Sequence, residues 1–208
     1  MWYSVVIAAL VAYLLGNLNG AVCVSALVSH DDVRNHGSGN AGLTNFIRNY
    51  GGGKALLVIL IDAGKAALAC MMAGLLLQPY GYYTEGTVLG GLAVMLGHDF
   101  PALLGFKGGK GILSGLLIAL CVDWRIGVLI LLVFAVVYFI TMYVSLASVL
   151  AAVAFGVGFV VFHSHNLWVM LGGVIMSALC VFMHRGNITR LIRGEERKTN
   201  LFKKGKNQ

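Results

Sequence analysis

Charge is scarce in this chain. Asp, Glu, Lys and Arg together make up 11% of the 208 residues, where a soluble domain carries about a quarter. Acid is the scarcer sign, with 8 Asp and Glu against 15 Lys and Arg. With 59% apolar residues beside it, this shortage excludes a soluble globular domain and a disordered chain. Paired cysteines are missing as well. Cys23, Cys70, Cys121 and Cys180 each stand alone in an apolar run, with no CxxC and no Cys/His spacing that suits zinc. A disulfide-stapled module is excluded, no metal site is expected, and the four thiols read as small buried hydrophobes. Met1-Trp2-Tyr3-Ser4 lacks the basic residues of a cleaved signal peptide, and a neutral N-terminus is expected to face outward.

A membrane helix takes about 20 apolar residues, and about seven would account for the apolar fraction. The expectation is an all-α polytopic integral membrane protein: a single membrane-embedded domain over residues 1–208. Apolar stretches lie at 4–29, 54–77, 86–97, 112–122, 126–142, 145–162 and 166–183. The pieces 86–97 and 112–122 are short, so the count is seven spans, or five plus a re-entrant pair. Both counts are odd. Eight of the fifteen basic residues follow position 184, which orients the chain N-terminus out and C-terminus cytoplasmic. The segments 30–53, 98–111 and 184–198 then share the cytoplasmic face, and the basic tail, Arg193 to Lys206 in particular, sits against anionic lipid. Nucleic-acid binding is disfavoured, because no soluble basic fold accompanies that tail.

The first polar segment carries Gly37, Gly39 and Gly42, a formal GxGxxG with Asp62 twenty residues beyond. A dinucleotide fold is rejected, because polar residues His30 to His36 stand where a buried strand is required. What survives is the underlying physics. Close glycines let backbone N–H groups approach an anion, Ser38, Asn40, Thr44 and Asn45 add polar contacts, and Arg48 supplies a planar cation. The second segment imitates a P-loop, but Leu104 and Gly111 occupy the positions of its first glycine and its Ser/Thr. Lys107 and Lys110 among Gly105, Gly108, Gly109 and Gly111 still describe a phosphate nest. In the third, His184 and Asn187 lie three apart on one helix face, and Arg190 continues it. Asp62 and Lys65 within a span are expected to pair with each other, and His163 and His165 to be solvated at the outer edge. No His is followed five positions later by Asp, no GxSxG elbow exists, and no Pro/Gly-interrupted inverted repeat supports a transporter. A transporter for a small phosphorylated solute remains the rival reading.

Together these three segments resemble the PlsY family of bacterial acyl-phosphate:glycerol-3-phosphate acyltransferases. The resemblance runs through Gly37-Ser-Gly-Asn-Ala-Gly-Leu-Thr-Asn45, Asp62-Ala-Gly-Lys65, Gly97-His98 to Gly111, His184-Arg-Gly-Asn187 and Gly194-Glu195. It implies a seven-helix fold without metal, cofactor or CoA. It implies transfer of a fatty acyl group from acyl phosphate to the 1-hydroxyl of sn-glycerol 3-phosphate, giving lysophosphatidic acid and inorganic phosphate at the inner membrane. The partners so implied are those two substrates and membrane lipid, with no nucleic acid and no obligate protein partner. Ser38, Arg48, Lys107, His184 and Asn187 are the expected catalytic residues. Gly37, Gly39, Asn40, Gly42, Thr44, Asn45, Gly108, Gly109, Lys110 and Ser145 are the expected substrate contacts. His98 shapes the second loop or takes part in catalysis. The base is either His184 or a substrate phosphate oxygen. Gly186, Ile112-Leu113-Ser114, Asn17 and Asn19 depart from the usual family residues.

Overall fold

The structure, a computed structural model, describes residues 1–199. Residues 200–208, with Lys203, Lys204 and Lys206 of the expected basic tail, lie outside the described residues. Among the described residues there are ten α-helices and no strand: α1 (Trp2–Gly16), α2 (Gly20–Ser29), α3 (Leu43–Tyr50), α4 (Ala55–Leu77), α5 (Tyr83–Asp99), α6 (Ile112–Val122), α7 (Trp124–Thr141), α8 (Val144–His163), α9 (Leu167–Met183) and α10 (Arg185–Ile192).

Five stretches are long and apolar enough to cross a membrane: Trp2–Ser29, Ala55–Tyr80, Tyr83–Leu104, Trp124–Thr141 and Val144–His163. The pair α9–α10, bent by 54°, makes a sixth when the two helices are counted as one span. Residues 86–97 are not short after all, because polar flanks extend the helix to Tyr83–Asp99. A re-entrant pair of 86–97 with 112–122 therefore loses its first member. α6 keeps the 11 residues expected of it, about 17 Å at 1.5 Å per residue.

Large apolar side chains such as Leu10, Leu60, Leu132, Ile140 and Val161 point outward, while Ala12, Ala66, Ala69, Val94, Ile118, Phe155 and Phe159 form the interior. Lipid is as apolar as leucine, so close packing of small residues holds such helices together. α1 meets α5 backbone to backbone at Gly16 and Gly97. A Cβ on Gly97 would lie 2.1 Å from the Tyr13 carbonyl oxygen.

The polar knot Asn17-Leu18-Asn19 separates α1 from α2. Asn19 caps α2 by accepting from Val22 N at 3.0 Å and donates to the Ala41 carbonyl at 2.9 Å. Lys65 and Asp62 do pair, at 2.8 Å, and they also close this break. Lys65 donates to the carbonyls of Gly16 and Leu18, and Gly20 N donates to Asp62 Oδ1 at 3.1 Å. Broken helices persist in hydrocarbon only where neighbours satisfy the freed backbone in this way.

At the end of the bundle away from the three polar segments, His163 is not solvated as expected. Its side chain is 12% exposed and its Nε2 lies 3.3 Å from Asp123 Oδ2. His165 is exposed.

Candidate active site

The three polar segments meet at one end of the bundle. Residues 30–53, read as a loop, contain α3 between Leu43 and Tyr50. Leu43, Phe46, Ile47 and Tyr50 make a helical stripe, and Phe46 is fully buried against Val24, Val33 and Val58. One residue earlier, Asn45 holds the glycine loop. Its side-chain nitrogen lies 3.0 Å from each of the carbonyls of Val33, His36 and Asn40, and its oxygen accepts Ser38 N at 3.0 Å. Arg34, paired with Asp32 at 2.7 Å, donates to the carbonyls of Leu104 at 2.8 Å and Lys107 at 3.3 Å. This couples the first segment to the second.

His98, at the end of α5, is buried and accepts from the Lys65 ammonium at 2.8 Å on Nδ1. The 105–111 loop wraps over it. Gly109 N donates to the His98 carbonyl at 3.0 Å, and a Cβ on Gly109 would lie 2.0 Å from His98 Nε2. His98 is thus the template of the second loop, though it also borders the cavity described next.

A cavity of about 440 Å³ opens where the segments meet. From the first come Ser38, Asn40, Gly42, Thr44, Asn45 and Arg48, from the second Lys110, and from the remaining helices Ser145, His184 and Asn187. Gly37, Gly39, Gly108 and Gly109 shape the loops without lining it, and Lys107 is exposed outside it. The opposite wall is apolar, with Leu113, Leu116, Ile130, Leu131 and Phe134 from α6 and α7.

The last span does not simply continue through His184. It bends there, and α10 turns His184, Asn187 and Arg190 together into the cavity. His184 Nδ1 donates to the Cys180 carbonyl at 2.8 Å. A carbonyl only accepts, so the neutral ring carries its proton on Nδ1 and keeps a lone pair on Nε2. Lys110 donates to Asn187 Oδ1, and Asn187 Nδ2 donates to Ser145 Oγ at 2.8 Å. Burial, with the Arg190 and Arg48 cations nearby, pushes the Lys110 ammonium down to about 8 although Glu196 opposes them.

Glu196 is the residue that sequence reasoning missed. The chain turns back after α10 and buries this carboxylate against the site. Its Oε1 accepts from Ser145 at 2.6 Å and Asn187 at 3.3 Å, and its Oε2 pairs with Arg190 Nε at 2.7 Å. Burial pushes the Glu196 carboxyl up, but hydrogen bonds from Ser145, Arg190 and Asn187 prevail and hold it below its ordinary value. Three residues on, Thr199 accepts from Arg48 Nε at 3.1 Å, donates N–H to the Met142 carbonyl and accepts from the Tyr138 hydroxyl. Burial lowers the Arg48 guanidinium from its usual value, which leaves it a cation at any ordinary pH. The third polar segment runs to residue 198 and the resemblance through Gly194-Glu195, but nothing local in the sequence singles out Glu196 or Thr199; their contacts form only once the chain reverses.

Fold and cavity define an all-helical membrane protein with a cationic, hydrogen-bonding pocket set against an apolar wall. The family model described as glycerol-3-phosphate acyltransferase matches residues 6–194, and the chain belongs to that family. A glycerol-3-phosphate acyltransferase of Paraburkholderia xenovorans (strain LB400) is 41% identical over 192 residues, 91% of this chain and 88% of that one. The enzyme of the same name from Finegoldia magna is 36% identical over 193 residues, 93% of this chain and 95% of that one. The crystal structure of PlsY (YgiH), an integral membrane glycerol 3-phosphate acyltransferase, in its glycerol 3-phosphate form superimposes with a TM-score of 0.84 at 31% identity. That match covers 96% of this chain and 100% of the other. The lysophosphatidic acid form gives a TM-score of 0.82 at 31% identity, over 95% and 96% of the two chains.

Proposed function

We propose that the chain transfers a fatty acyl group from an acyl phosphate to the 1-hydroxyl of sn-glycerol 3-phosphate, releasing lysophosphatidic acid and inorganic phosphate. The observation that carries this is the division of one cavity into a cationic half and an apolar half. An acyl phosphate has the same division, and glycerol 3-phosphate brings a second phosphate to the cationic half. Ser38, Thr44 and Arg48, with the glycine-loop backbone, contact phosphate; Lys110 and Arg190 offset charge; Leu116, Ile130 and Phe134 receive the chain.

The donor is already activated, so positioning and charge stabilisation suffice and no covalent nucleophile is required. His184 Nε2 accepts from the glycerol hydroxyl and orients it. The hydroxyl proton ends on the departing phosphate, which leaves as hydrogen phosphate. Lys107, outside the cavity, meets phosphate on the way in, and Gly37, Gly39, Gly108 and Gly109 keep the loops close to it. The reading calls for no metal, cofactor or protein partner.

The chain acts as one domain in the bacterial inner membrane, with the pocket end in the cytoplasm and the N-terminus outside. What supports this is the charge distribution: of the Lys and Arg among residues 1–199, Arg125 alone stands at the far end.

The purified protein, given glycerol 3-phosphate and palmitoyl phosphate, is expected to form lysophosphatidic acid. Absence of product from folded protein, together with uptake of unmodified glycerol 3-phosphate into sealed vesicles, would transfer the reading to a transporter.

A further inference from the structure

We propose that Ser148 is the oxyanion donor of the acyl transfer, an inference that rests on the function proposed above. Ser148 lies on α8 three residues after Ser145, on the same face and about 4.5 Å deeper into the membrane. Both line the cavity, and Ser148 is 5% exposed. Past Ser148 the cavity wall is made by the apolar side chains of α6 and α7, among them Ile130 and Phe134.

The neighbouring donors on this wall are committed elsewhere. Ser145 donates its hydroxyl to Glu196, and the Asn187 amide donates to Ser145 and Glu196. Ser148 has no hydrogen-bond partner among the described residues. Its hydroxyl is not fully enclosed by protein either; among the described residues the fully enclosed side-chain atoms without a hydrogen bond belong to Asp99, Ser114 and His163. A nine-tenths buried hydroxyl that opens into a cavity without a protein partner is set for a ligand.

Its depth identifies the ligand atom. With phosphate held by the cationic half and the chain in the apolar half, the carbonyl that joins them falls at the boundary where Ser148 stands. The glycerol 1-oxygen bonds to the carbonyl carbon, and the carbonyl π pair moves onto oxygen, where Ser148 O–H donates to it. The pair then returns, the carbon–oxygen bond to phosphate breaks, and phosphate departs with that pair and with the hydroxyl proton. A donor aimed at such an oxygen in a poorly solvated site gains strength as charge develops there, so its loss falls on kcat.

Kinetics of Ser148→Ala and Ser148→Thr, with wild type assayed alongside, test this. The expected result is a kcat about 10²- to 10³-fold lower for Ser148→Ala, with KM for glycerol 3-phosphate within about twofold and melting temperature unchanged. Ser148→Thr, which keeps a hydroxyl, is expected to recover most of the rate. The proposal is overturned by a Ser148→Ala kcat near wild type, by a loss confined to KM or to melting temperature, or by a Ser148→Thr as slow as Ser148→Ala. Acylation of Ser148 in enzyme given palmitoyl phosphate alone would make it a nucleophile and overturn the assignment too. If wild type makes no lysophosphatidic acid, it is the functional reading that fails, whatever the variants do.

Discussion

Replacing Asn45 with alanine should cripple the site without touching a substrate group directly. Asn45 is 2% exposed, so solvent does not replace what it loses. Its amide group holds the loop through the carbonyls of Val33, His36 and Asn40, and its oxygen holds Ser38 N. The amide has two hydrogens for three acceptors, so about three independent bonds secure the loop. At about 0.5–1.5 kcal/mol net each, with buried carbonyls left unpaired, the ordered loop loses about 2–4 kcal/mol. Ser38 and Asn40 ride on that loop. Every 1.4 kcal/mol is tenfold, so kcat/KM for glycerol 3-phosphate should fall about 30- to 1,000-fold. Melting in detergent should drop little, since the packing of α1, α4, α5, α7, α8 and α9 against one another does not involve Asn45. Asn45→Asp keeps the acceptor, loses both donors and sets a carboxylate against three carbonyls; it should do no better than alanine. Steady-state kinetics in detergent decide the matter. A value of kcat/KM within threefold of wild type for either variant would refute the reasoning.

Four further outcomes are expected. Gly109→Ala places a methyl group 2.0 Å from His98 Nε2, and His98 is held by Lys65 and cannot yield; activity should collapse, whereas Gly53→Ala, with nothing within 4 Å, should be silent in the same assay. Glu196→Gln turns an amide NH2 or a single carbonyl toward Arg190 where a carboxylate stood; with Arg190 partly exposed, about a tenfold loss of kcat/KM is expected, and a wild-type rate would remove Glu196 from the account. Lys110 is a cation below about pH 8 and neutral above it, so kcat/KM for glycerol 3-phosphate should fall as pH rises through about 8. Lys110→Arg should abolish that fall; a wild-type profile flat to about pH 9.5 would contradict it. Arg48→Ala should stop turnover in protein that still folds, as measured by product formation beside a melting curve.

The parts of this molecule written locally were legible before the fold was known. Asn17 and Asn19 stand out within the apolar stretch 4–29, which reads as one span; in the fold Asn19 caps the second half of a broken helix. Asp62 and Lys65, one turn apart, announce their pairing. The stripe of Leu43, Phe46, Ile47 and Tyr50 announces α3 equally well, although the surrounding glycines disguise it as loop. Ser38, Arg48, His184 and Asn187 could be assembled on one face because charge bias fixes which loops share a side. What stayed hidden depends on contacts between distant segments. Asn45 carries an amide suited to a substrate, but folding presents it with three loop carbonyls. Lys65 reaches back to the carbonyls of Gly16 and Leu18 only once α4 lies beside the break. Glu196 enters the site by a chain reversal that no periodicity encodes, and Lys107 leaves it because the loop turns its side chain outward.

The central claim is that one cavity joins an acyl phosphate to glycerol 3-phosphate. Its most direct test supplies purified protein with glycerol 3-phosphate and either palmitoyl phosphate or palmitoyl-CoA, following lysophosphatidic acid and inorganic phosphate together. Equal amounts of both products from the acyl phosphate, and neither from the thioester, are predicted. Lysophosphatidic acid formed from the thioester at a comparable rate, or phosphate released without acylated product, would contradict it.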